Sequence, residues 1–226
     1  MNEVDSEAVL KAKGYDERPF IQNLALGAGL ALQSKIGLQP DWDILDFGCG
    51  TGLVLQRTVD HVRAAVGVDS SGAMIQVLNE KAMKKVTACC LQLSLTSNLA
   101  QHYKQKSMSG APDKFDLVYS SMTLHHIHDI PATAKLLKAY LKPGGVLVAF
   151  DLEKGPDSIL FHPQPISSSV YHKGGFASEH LSSMWQEAGM KDVSCERVHR
   201  FTKDVKDDAG NDKKVVFWML MVKGRS

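Results

Sequence analysis

A short apolar run that ends in three alternating glycines constrains the fold of this chain more than any other feature. The run covers residues 42–47, the glycines are Gly48, Gly50 and Gly52, and an amphipathic segment follows at 53–62. This order predicts a buried strand, a tight turn and a helix. Glycine adopts backbone angles that other residues avoid and lets the main chain approach a ligand closely. The free N–H groups at the start of the helix point at whatever lies over the turn.

The spacing of the glycines disfavours a nicotinamide-type dinucleotide site. The dinucleotide fingerprint is G-x-G-x-x-G, whereas this chain has Leu53 at the position of the last glycine, and Asp46 precedes the turn. About twenty residues further on, the apolar run 64–68 ends in Asp69, a residue suited to binding the hydroxyl groups of a ribose. The alternative is a turn whose glycines serve only the backbone, and an acidic residue at this spacing argues against it.

These residues resemble a known cofactor site. The stretch 46–52 resembles the first motif of the class I methyltransferases that use S-adenosylmethionine, and Asp69 resembles the acidic residue of their second strand. The order F-D-L-V, a loop, a helix, then L-K-P-G-G and a strand, which runs from 115 to 150, resembles the second half of the same core. The resemblance covers residues 42–151.

The resemblance implies an α/β fold with a Rossmann-like, doubly wound, seven-stranded sheet. The expected strand order is 3-2-1-4-5-7-6, with the last strand antiparallel and helices on both faces. We expect a single methyltransferase domain, 1–226, made of an N-terminal helical lid (1–40), a cofactor-binding core (42–151), a substrate-side insert (152–177), and a C-terminal helix with two strands (178–226).

Periodicity and turn residues predict the remaining elements. Helices are expected at 6–13, 19–36 and 70–83, after Pro131 up to the Pro-Gly-Gly at 143–145, and after Ser178. Further strands are expected at 86–93, 115–121, 146–150, 193–198 and 214–223, the last two joined by a charged turn through Asp207, Asp208, Gly210 and Asn211.

Composition and charge disfavour several kinds of partner. The net charge of +1 provides no basic field that would attract nucleic acid or an anionic membrane. The cysteines at 49, 89, 90 and 195 form neither a disulfide framework nor a C-x-x-C metal pattern, which favours a reducing compartment. The acidic N-terminus at 1–5 resembles no targeting signal, and the longest apolar run, 215–222, is too short to cross a bilayer. We therefore expect a cytoplasmic protein without a membrane partner.

The resemblance implies that S-adenosylmethionine binds beyond the carboxyl ends of the strands and leaves as S-adenosylhomocysteine. Asp69 would hold the ribose, and the turn 48–52 would face the methionine and ribose side. Gln92 stands near the position where the family commonly has an acidic residue that accepts a hydrogen bond from adenine, and an amide oxygen can accept one too. The expected cofactor-binding residues are Asp46, Gly48, Cys49, Gly50, Thr51, Gly52, Asp69, Ser70, Met74, Gln92, Leu93, Ser120 and Ser121.

A histidine cluster at 125–128 offers candidate catalytic residues, His125 and His126. Methyl transfer from a sulfonium is an in-line displacement in which positioning alone can contribute roughly 7–11 kcal/mol. A base therefore helps only when the acceptor must lose a proton. Alternatively, one histidine lines the cofactor pocket while the others pack against the next helix. A metal site is disfavoured, because adjacent histidines point in different directions and no acidic motif with ligand spacing accompanies them.

The acceptor itself is not identified by the sequence. Tyr171 and His172 in the insert, and Asp151 at a strand end, are candidate substrate residues, although each could instead anchor a loop or cap backbone. A small-molecule acceptor is favoured because the chain has no basic face and little appended sequence for a macromolecule. A protein side chain as acceptor, or a relative that binds the cofactor without turnover, are the alternatives. The oligomeric state is not predicted.

Overall fold

The computed structural model describes residues 5–93, 98–106, 108, 110–206 and 210–226. Within these ranges the strands are β1 (Asp43–Phe47), β2 (Ala64–Asp69), β3 (Val86–Cys90), β4 (Phe115–Ser121), β5 (Leu141–Leu152), β6 (Lys191–Lys206) and β7 (Asp212–Arg225). They form one seven-stranded sheet in the order β3-β2-β1-β4-β5-β7-β6. Neighbouring strands from β3 to β5 are parallel, and β7 runs antiparallel to both β5 and β6. The predicted fold and strand order are confirmed.

The described helices lie on both faces of this sheet. They are α1 (Ser6–Asp16), α2 (Pro19–Ala31), α3 (Leu55–Thr58), α4 (Gly72–Glu80), α5 (Leu99–Gln105), α6 (Ile130–Lys138) and α7 (Ser178–Glu187). Local sequence explains where several helices begin. Pro19 is the first residue of α2, and the side chains of Ser71 and Asp129 accept hydrogen bonds from backbone N–H groups in the first turns of α4 and α6. A π-helical turn, Leu32–Ile36, extends α2.

The hydrophobic core has two layers because the central strands are buried on both faces. Ile44 packs in one layer with Leu55 of α3, whereas Leu45 packs in the other with Trp185 of α7. Successive strand residues point to opposite faces of a sheet, so an unbroken apolar strand supplies both layers. A smaller cluster, which includes Val9 and Val77, joins α1 to α4.

Several predicted boundaries differ from the structure. The helix expected at 53–62 is only the short α3 followed by a 3₁₀ turn, Val59–His61, and the strand expected at 86–93 ends at Cys90. The Pro-Gly-Gly segment 143–145 lies within β5, and α6 has already ended at Lys138. The pairing of β4 with β5 shifts register between Phe115 and Leu117, because β5 passes through the segment 143–145 at this point.

The C-terminal hairpin shows the largest difference from expectation. Strand β6 extends well beyond its predicted range, whereas β7 extends by two residues at each end, and the two strands remain paired as far as Lys206 and Asp212. Helix α5 was not predicted. Residues 1–4, together with Asp207 and Asp208 of the predicted turn, lie outside the described residues.

Candidate functional site

A cleft of about 760 Å³ lies at the carboxyl ends of the central strands. This volume falls within the usual range of small-molecule sites, about 300–1,000 Å³. Phe47, Asp69 and Ser121, which end β1, β2 and β4, all lie on its wall. The strand order reverses between β1 and β4, which is where ligands bind in open α/β sheets. The position of the cleft is therefore set by topology.

The three glycines of the turn have positive φ angles but different surroundings. The φ values are 72° at Gly48, 52° at Gly50 and 80° at Gly52. A Cβ atom on Gly48 would collide with the Thr123 side chain, and one on Gly52 would collide with Leu78. A Cβ on Gly50 would meet no atom within 4 Å. Gly48 and Gly52 thus allow close packing, whereas Gly50 leaves open space beside the cleft.

The Asp69 carboxylate is held by the turn that it faces. Its Oδ2 accepts a hydrogen bond from the Gly50 N–H at 2.9 Å, and its Oδ1 accepts one from the Ser71 N–H at 2.8 Å. These bonds tie the end of β2 to the glycine turn and to the start of α4. A carboxylate oxygen accepts more than one hydrogen bond, so Asp69 retains capacity for ligand hydroxyls on the cleft wall.

Asp46 also contributes to the cleft wall, but the residue is only 2% exposed. Its Oδ1 has no hydrogen-bond partner among the described residues. Burial raises the pKa of Asp46 to about 8; the Tyr119 hydroxyl works against this rise, and the charge of Asp69 adds to it. A buried oxygen without a partner is costly, and a cationic or N–H-bearing ligand in the cleft would supply one.

The remaining expected cofactor residues divide into two groups. Those on the cleft wall are Gly48, Cys49, Gly50, Thr51, Ser70, Met74, Gln92, Leu93 and Ser121. Gly52 and Ser120 lie behind the wall, where the Ser120 hydroxyl donates to the Phe47 carbonyl at 2.8 Å. The Thr51 hydroxyl donates to Asp16, and Asp16 also forms an ion pair with Lys81 at 2.6 Å. The turn is thereby connected to α1.

His125 is buried, not exposed to the cleft. Its Nδ1 lies 2.8 Å from Asp151 Oδ1, and its backbone N–H donates to Asp151 Oδ2 at 3.1 Å. Burial alone would lower the pKa of His125, but the Asp151 charge and its hydrogen bond outweigh burial and raise that pKa. Asp151, which is 0% exposed, therefore contacts His125 in the interior and does not lie on the cleft wall.

His126 lies on the cleft wall and is solvent-exposed. Its Nδ1 is 2.9 Å from the Ser169 carbonyl oxygen. Because a carbonyl only accepts, Nδ1 carries the proton and Nε2 is left as a basic nitrogen. The partial burial of the ring and the charge of His125 lower the pKa of His126. The site thus presents the His126 imidazole, with a lowered pKa, to the cleft, beside the buried His125, whose pKa is raised; His128 also lies on the cleft wall.

The insert contacts the histidine segment through its backbone. The N–H groups of Tyr171 and His172 both donate to the His125 carbonyl, at 2.9 and 3.1 Å. His172 also donates from Nε2 to the Ile127 carbonyl at 3.0 Å and does not lie on the cleft wall, whereas Tyr171 does and is 55% exposed. The substrate role of either residue stays a prediction.

Sequence reasoning missed several wall residues, because no motif marks them. Tyr15, Ile21, Leu24 and Ala25 of α1 and α2 line the cleft, as does Met122. Met122 has a φ of 54°, which is unusual for a residue with a side chain. Within the described ranges, no cluster of His, Cys, Asp or Glu has the arrangement of a metal site, and no helix is both long and apolar enough to cross a membrane.

The strand order and the glycine turn with its two carboxyl groups define the class I methyltransferase architecture. A family model described as a methyltransferase domain matches residues 18–195, and the chain belongs to this family of S-adenosylmethionine-dependent methyltransferases.

Known proteins of similar sequence carry methyltransferase names. An uncharacterized methyltransferase of Schizosaccharomyces pombe is 35% identical over 162 residues, which cover 66% of this chain and 54% of that protein. Phosphoethanolamine N-methyltransferase 1 of Arabidopsis thaliana is 28% identical over 217 residues, which cover 92% of this chain and 41% of that protein. The chain thus spans about half the length, or less, of these curated relatives.

Solved structures share the fold. A SAM-dependent methyltransferase from Aquifex aeolicus aligns over 99% of both chains with a TM-score of 0.62 and 17% identity. Phosphoethanolamine N-methyltransferase 2 of Haemonchus contortus, solved with phosphomonomethylethanolamine and S-adenosylhomocysteine, aligns over 96% of this chain and 57% of that chain with a TM-score of 0.63 and 16% identity.

Proposed function

We propose that this protein transfers a methyl group from S-adenosylmethionine to a small-molecule acceptor. The observation that carries the proposal is the convergence of Asp46, Asp69 and the open position at Gly50 on one cleft. The unpartnered Oδ1 of Asp46 fits a cofactor that brings a cationic amino group, and the anchored carboxylate of Asp69 fits a ribose. S-adenosylmethionine has both groups and supplies a methyl carbon already activated by its sulfonium.

The residues of the chain would act mainly by positioning. Asp69 and the turn would fix the ribose side, Ser121 would border the methionine side, and Gln92 would accept a hydrogen bond from adenine. Holding the reacting atoms in line can contribute roughly 7–11 kcal/mol. The wall from α1 and α2 is largely apolar, which supports the proposal that residues 1–40 act as a lid.

His126 is the residue best placed to remove a proton from an acceptor. Its Nε2 is basic, and its pKa is lowered, so the neutral form predominates near pH 7. A small acceptor is supported by relatives whose names refer to phosphoethanolamine and to ubiquinone biosynthesis. The unpaired thiols, among them the exposed Cys90, support a cytoplasmic location.

Calorimetric titration with S-adenosylhomocysteine tests the proposal directly. We expect the wild type to bind and Asp69→Ala to bind about a hundredfold more weakly, since each hydrogen bond to a charged group contributes about 1.5–3 kcal/mol. Asp60→Ala is the matched control, because Asp60 is an exposed aspartate away from the cleft wall. A wild type that does not bind, or an Asp69→Ala variant that binds equally well, would refute the proposed cofactor site.

A pair of glycine variants separates backbone strain from loss of the ligand site. Gly50 and Gly144 both have positive φ, 52° and 75°, and a Cβ on either would meet no atom within 4 Å. Alanine at either position should therefore lower the free energy of unfolding by about 1–2 kcal/mol. Only Gly50→Ala should weaken S-adenosylhomocysteine binding, by about tenfold or more, since its methyl group enters the open space beside the cleft. Equal affinities of the two variants would contradict this assignment.

A further inference from the structure

Asp16, the last residue of α1, joins three parts of the molecule beside the cleft. Its Oδ1 accepts a hydrogen bond from the Thr51 hydroxyl, and its Oδ2 forms an ion pair with Lys81 at 2.6 Å. Lys81 directly follows α4, so this one carboxylate connects α1 to the glycine turn and to α4. The side chains of Asp16 and Lys81 are only 18% and 16% exposed. The contact is therefore better shielded than an ordinary surface ion pair.

Thr51 lies on the cleft wall, yet its hydroxyl is already used within the protein. The residue is 2% exposed. A hydroxyl has one proton to donate, and Thr51 donates it to Asp16. The sequence predicts Thr51 as a cofactor-binding residue, but this geometry leaves its side chain no donor for a ligand. Its hydroxyl instead fixes the end of α1 relative to the glycine turn.

Helix α1 has only a small apolar contact with the rest of the fold. Its buried side chains are Val9 and Ala12, which pack with Ala73 and Val77 of α4. Leu10, the largest apolar side chain near its middle, is 69% exposed. Segments with few buried apolar contacts open locally at a low cost in free energy. The polar contacts at the end of α1 therefore decide how firmly this helix stays docked.

The docked α1 forms part of the cleft. Tyr15, the residue before Asp16, lines the cleft, and so does Met74 of α4, which packs against the apolar contact of α1. Burial raises the pKa of Tyr15; the charge of Arg18 opposes this rise, and the charges of Asp16 and Asp69 add to it. Tyr15 thus lies within electrostatic reach of Asp69, the carboxylate proposed to hold the ribose.

We propose that Asp16 is a positioning residue of the cofactor site. It holds α1, and with it Tyr15, against the cleft, because its carboxylate binds both Thr51 and Lys81. The proposal rests on the proposed function, since the ligand concerned is the cofactor of that reaction. A ligand that contacts Tyr15 binds the docked state of α1 better than the undocked state. Loss of Asp16 lowers the docked fraction, and the apparent affinity falls with that fraction.

Calorimetric titration with S-adenosylhomocysteine tests this role. We expect Asp16→Ala to bind about tenfold more weakly than the wild type, the loss expected for one hydrogen bond to a charged group. Glu80→Gln is the matched control, because Glu80 pairs with Lys13 at 2.8 Å between the same two helices but lies away from the cleft wall. These side chains are 43% and 48% exposed, and exposed pairs contribute little. Glu80→Gln should therefore bind like the wild type.

Amide hydrogen exchange in α1 distinguishes positioning from a general effect on stability. Coupling between two events is reciprocal, so S-adenosylhomocysteine should slow exchange in α1 of the wild type. The ligand-free Asp16→Ala variant should exchange faster in α1 than the ligand-free wild type, while exchange in the central strands stays unchanged. Faster exchange throughout the fold, central strands included, would mean that Asp16 acts on global stability and would overturn the proposal.

A double-mutant cycle tests whether Thr51 acts through Asp16. Thr51→Val removes the hydroxyl and keeps the shape of the side chain. It should weaken S-adenosylhomocysteine binding in the wild type but cause no further loss in Asp16→Ala, because residues that act through one contact are not additive. Additive losses would mean that the Thr51 hydroxyl meets the ligand directly, and they would overturn this account of the contact.

The outcomes separate this proposal from the proposed function. If the wild type binds S-adenosylhomocysteine and Asp16→Ala binds equally well, the positioning role is refuted and the cofactor site stands. If the wild type does not bind, the proposed function fails, and the positioning role fails with it. Should Asp16→Ala not fold, Lys81→Met removes the ion pair at Oδ2 and should cause the same faster exchange in α1 with a smaller loss of affinity; wild-type behaviour of that variant would refute the proposal.

Discussion

Replacement of Asp151 by alanine should lower the free energy of unfolding by about 3–5 kcal/mol, the usual cost of removing one partner of a buried ion pair. The Asp151 carboxylate is fully buried and accepts hydrogen bonds from the backbone N–H groups of His125 at 3.1 Å and Leu152 at 2.7 Å. It also lies 2.8 Å from His125 Nδ1. Alanine would leave the buried His125 ring and these N–H groups without their partner. Urea denaturation measures the loss.

A surface ion pair provides the matched control for Asp151→Ala. Asp157 and Lys213 are 2.9 Å apart, and their side chains are 45% and 46% exposed. Pairs of this kind contribute about 0–1 kcal/mol, so Asp157→Ala should have little effect. If Asp151→Ala were no more destabilising than Asp157→Ala, the buried pair would not stabilise the fold.

The contact between His125 and Asp151 predicts that the stability of the fold depends on pH. The pKa of His125 in the folded protein is raised, so the folded state binds the proton more tightly than the unfolded state does. The resulting stability is fully present below the unfolded pKa of about 6.5 and is lost as the pH rises through the folded pKa. The stability difference between the wild type and His125→Gln should therefore fall as the pH rises above about 6.5. A difference that grows as the pH rises above this value would contradict the raised pKa.

Much of the fold could be predicted because its signals are local. The apolar runs, the alternating glycines and Asp69 each specify one element or one turn, and parallel strands joined by helices leave few topologies open. The order 3-2-1-4-5-7-6 then followed from the resemblance to a known family and is confirmed. Element lengths depended on tertiary contacts and were less predictable. The outer half of β6 carries alternating charges, yet it is a strand because its pairing with β7 continues through Phe201 and Val205, whose side chains are buried.

The candidate site was predictable in position but not in the role of each side chain. His125 and His126 are neighbours in sequence, and nothing in their spacing indicates that the first is buried against Asp151 while the second faces the cleft. Asp69 is the last residue of β2, whereas Asp151 lies inside β5, where the paired β7 and the histidine segment cover it. These differences arise from packing between segments that are distant in the chain, so they could not be predicted from a single sequence.

Replacement of Asp46 by asparagine should stabilise the ligand-free protein near pH 8 and weaken cofactor binding. The buried carboxyl has a pKa of about 8 when folded, against about 3.9 when unfolded. Between these values the folded state retains a proton that the unfolded state releases, so wild-type stability falls by about 1.4 kcal/mol per pH unit relative to Asp46→Asn. The difference in unfolding free energy should therefore grow from pH 5 to pH 8 and level off above it.

Cofactor binding should also change the protonation of the Asp46 carboxyl group, and this change can be measured as proton release. A cationic group bound beside Asp46 would lower its pKa, so the wild type should release up to one proton per S-adenosylhomocysteine bound at pH 7. Asp46→Asn should release none. Calorimetry in buffers of different ionisation enthalpy measures the number of protons released.

If the stability difference is independent of pH and the proton count is zero in both proteins, Asp46 has an ordinary pKa and its buried oxygen does not contact a cation. If the difference follows the expected curve but affinity is unchanged, Asp46 destabilises the fold without contributing to the ligand site.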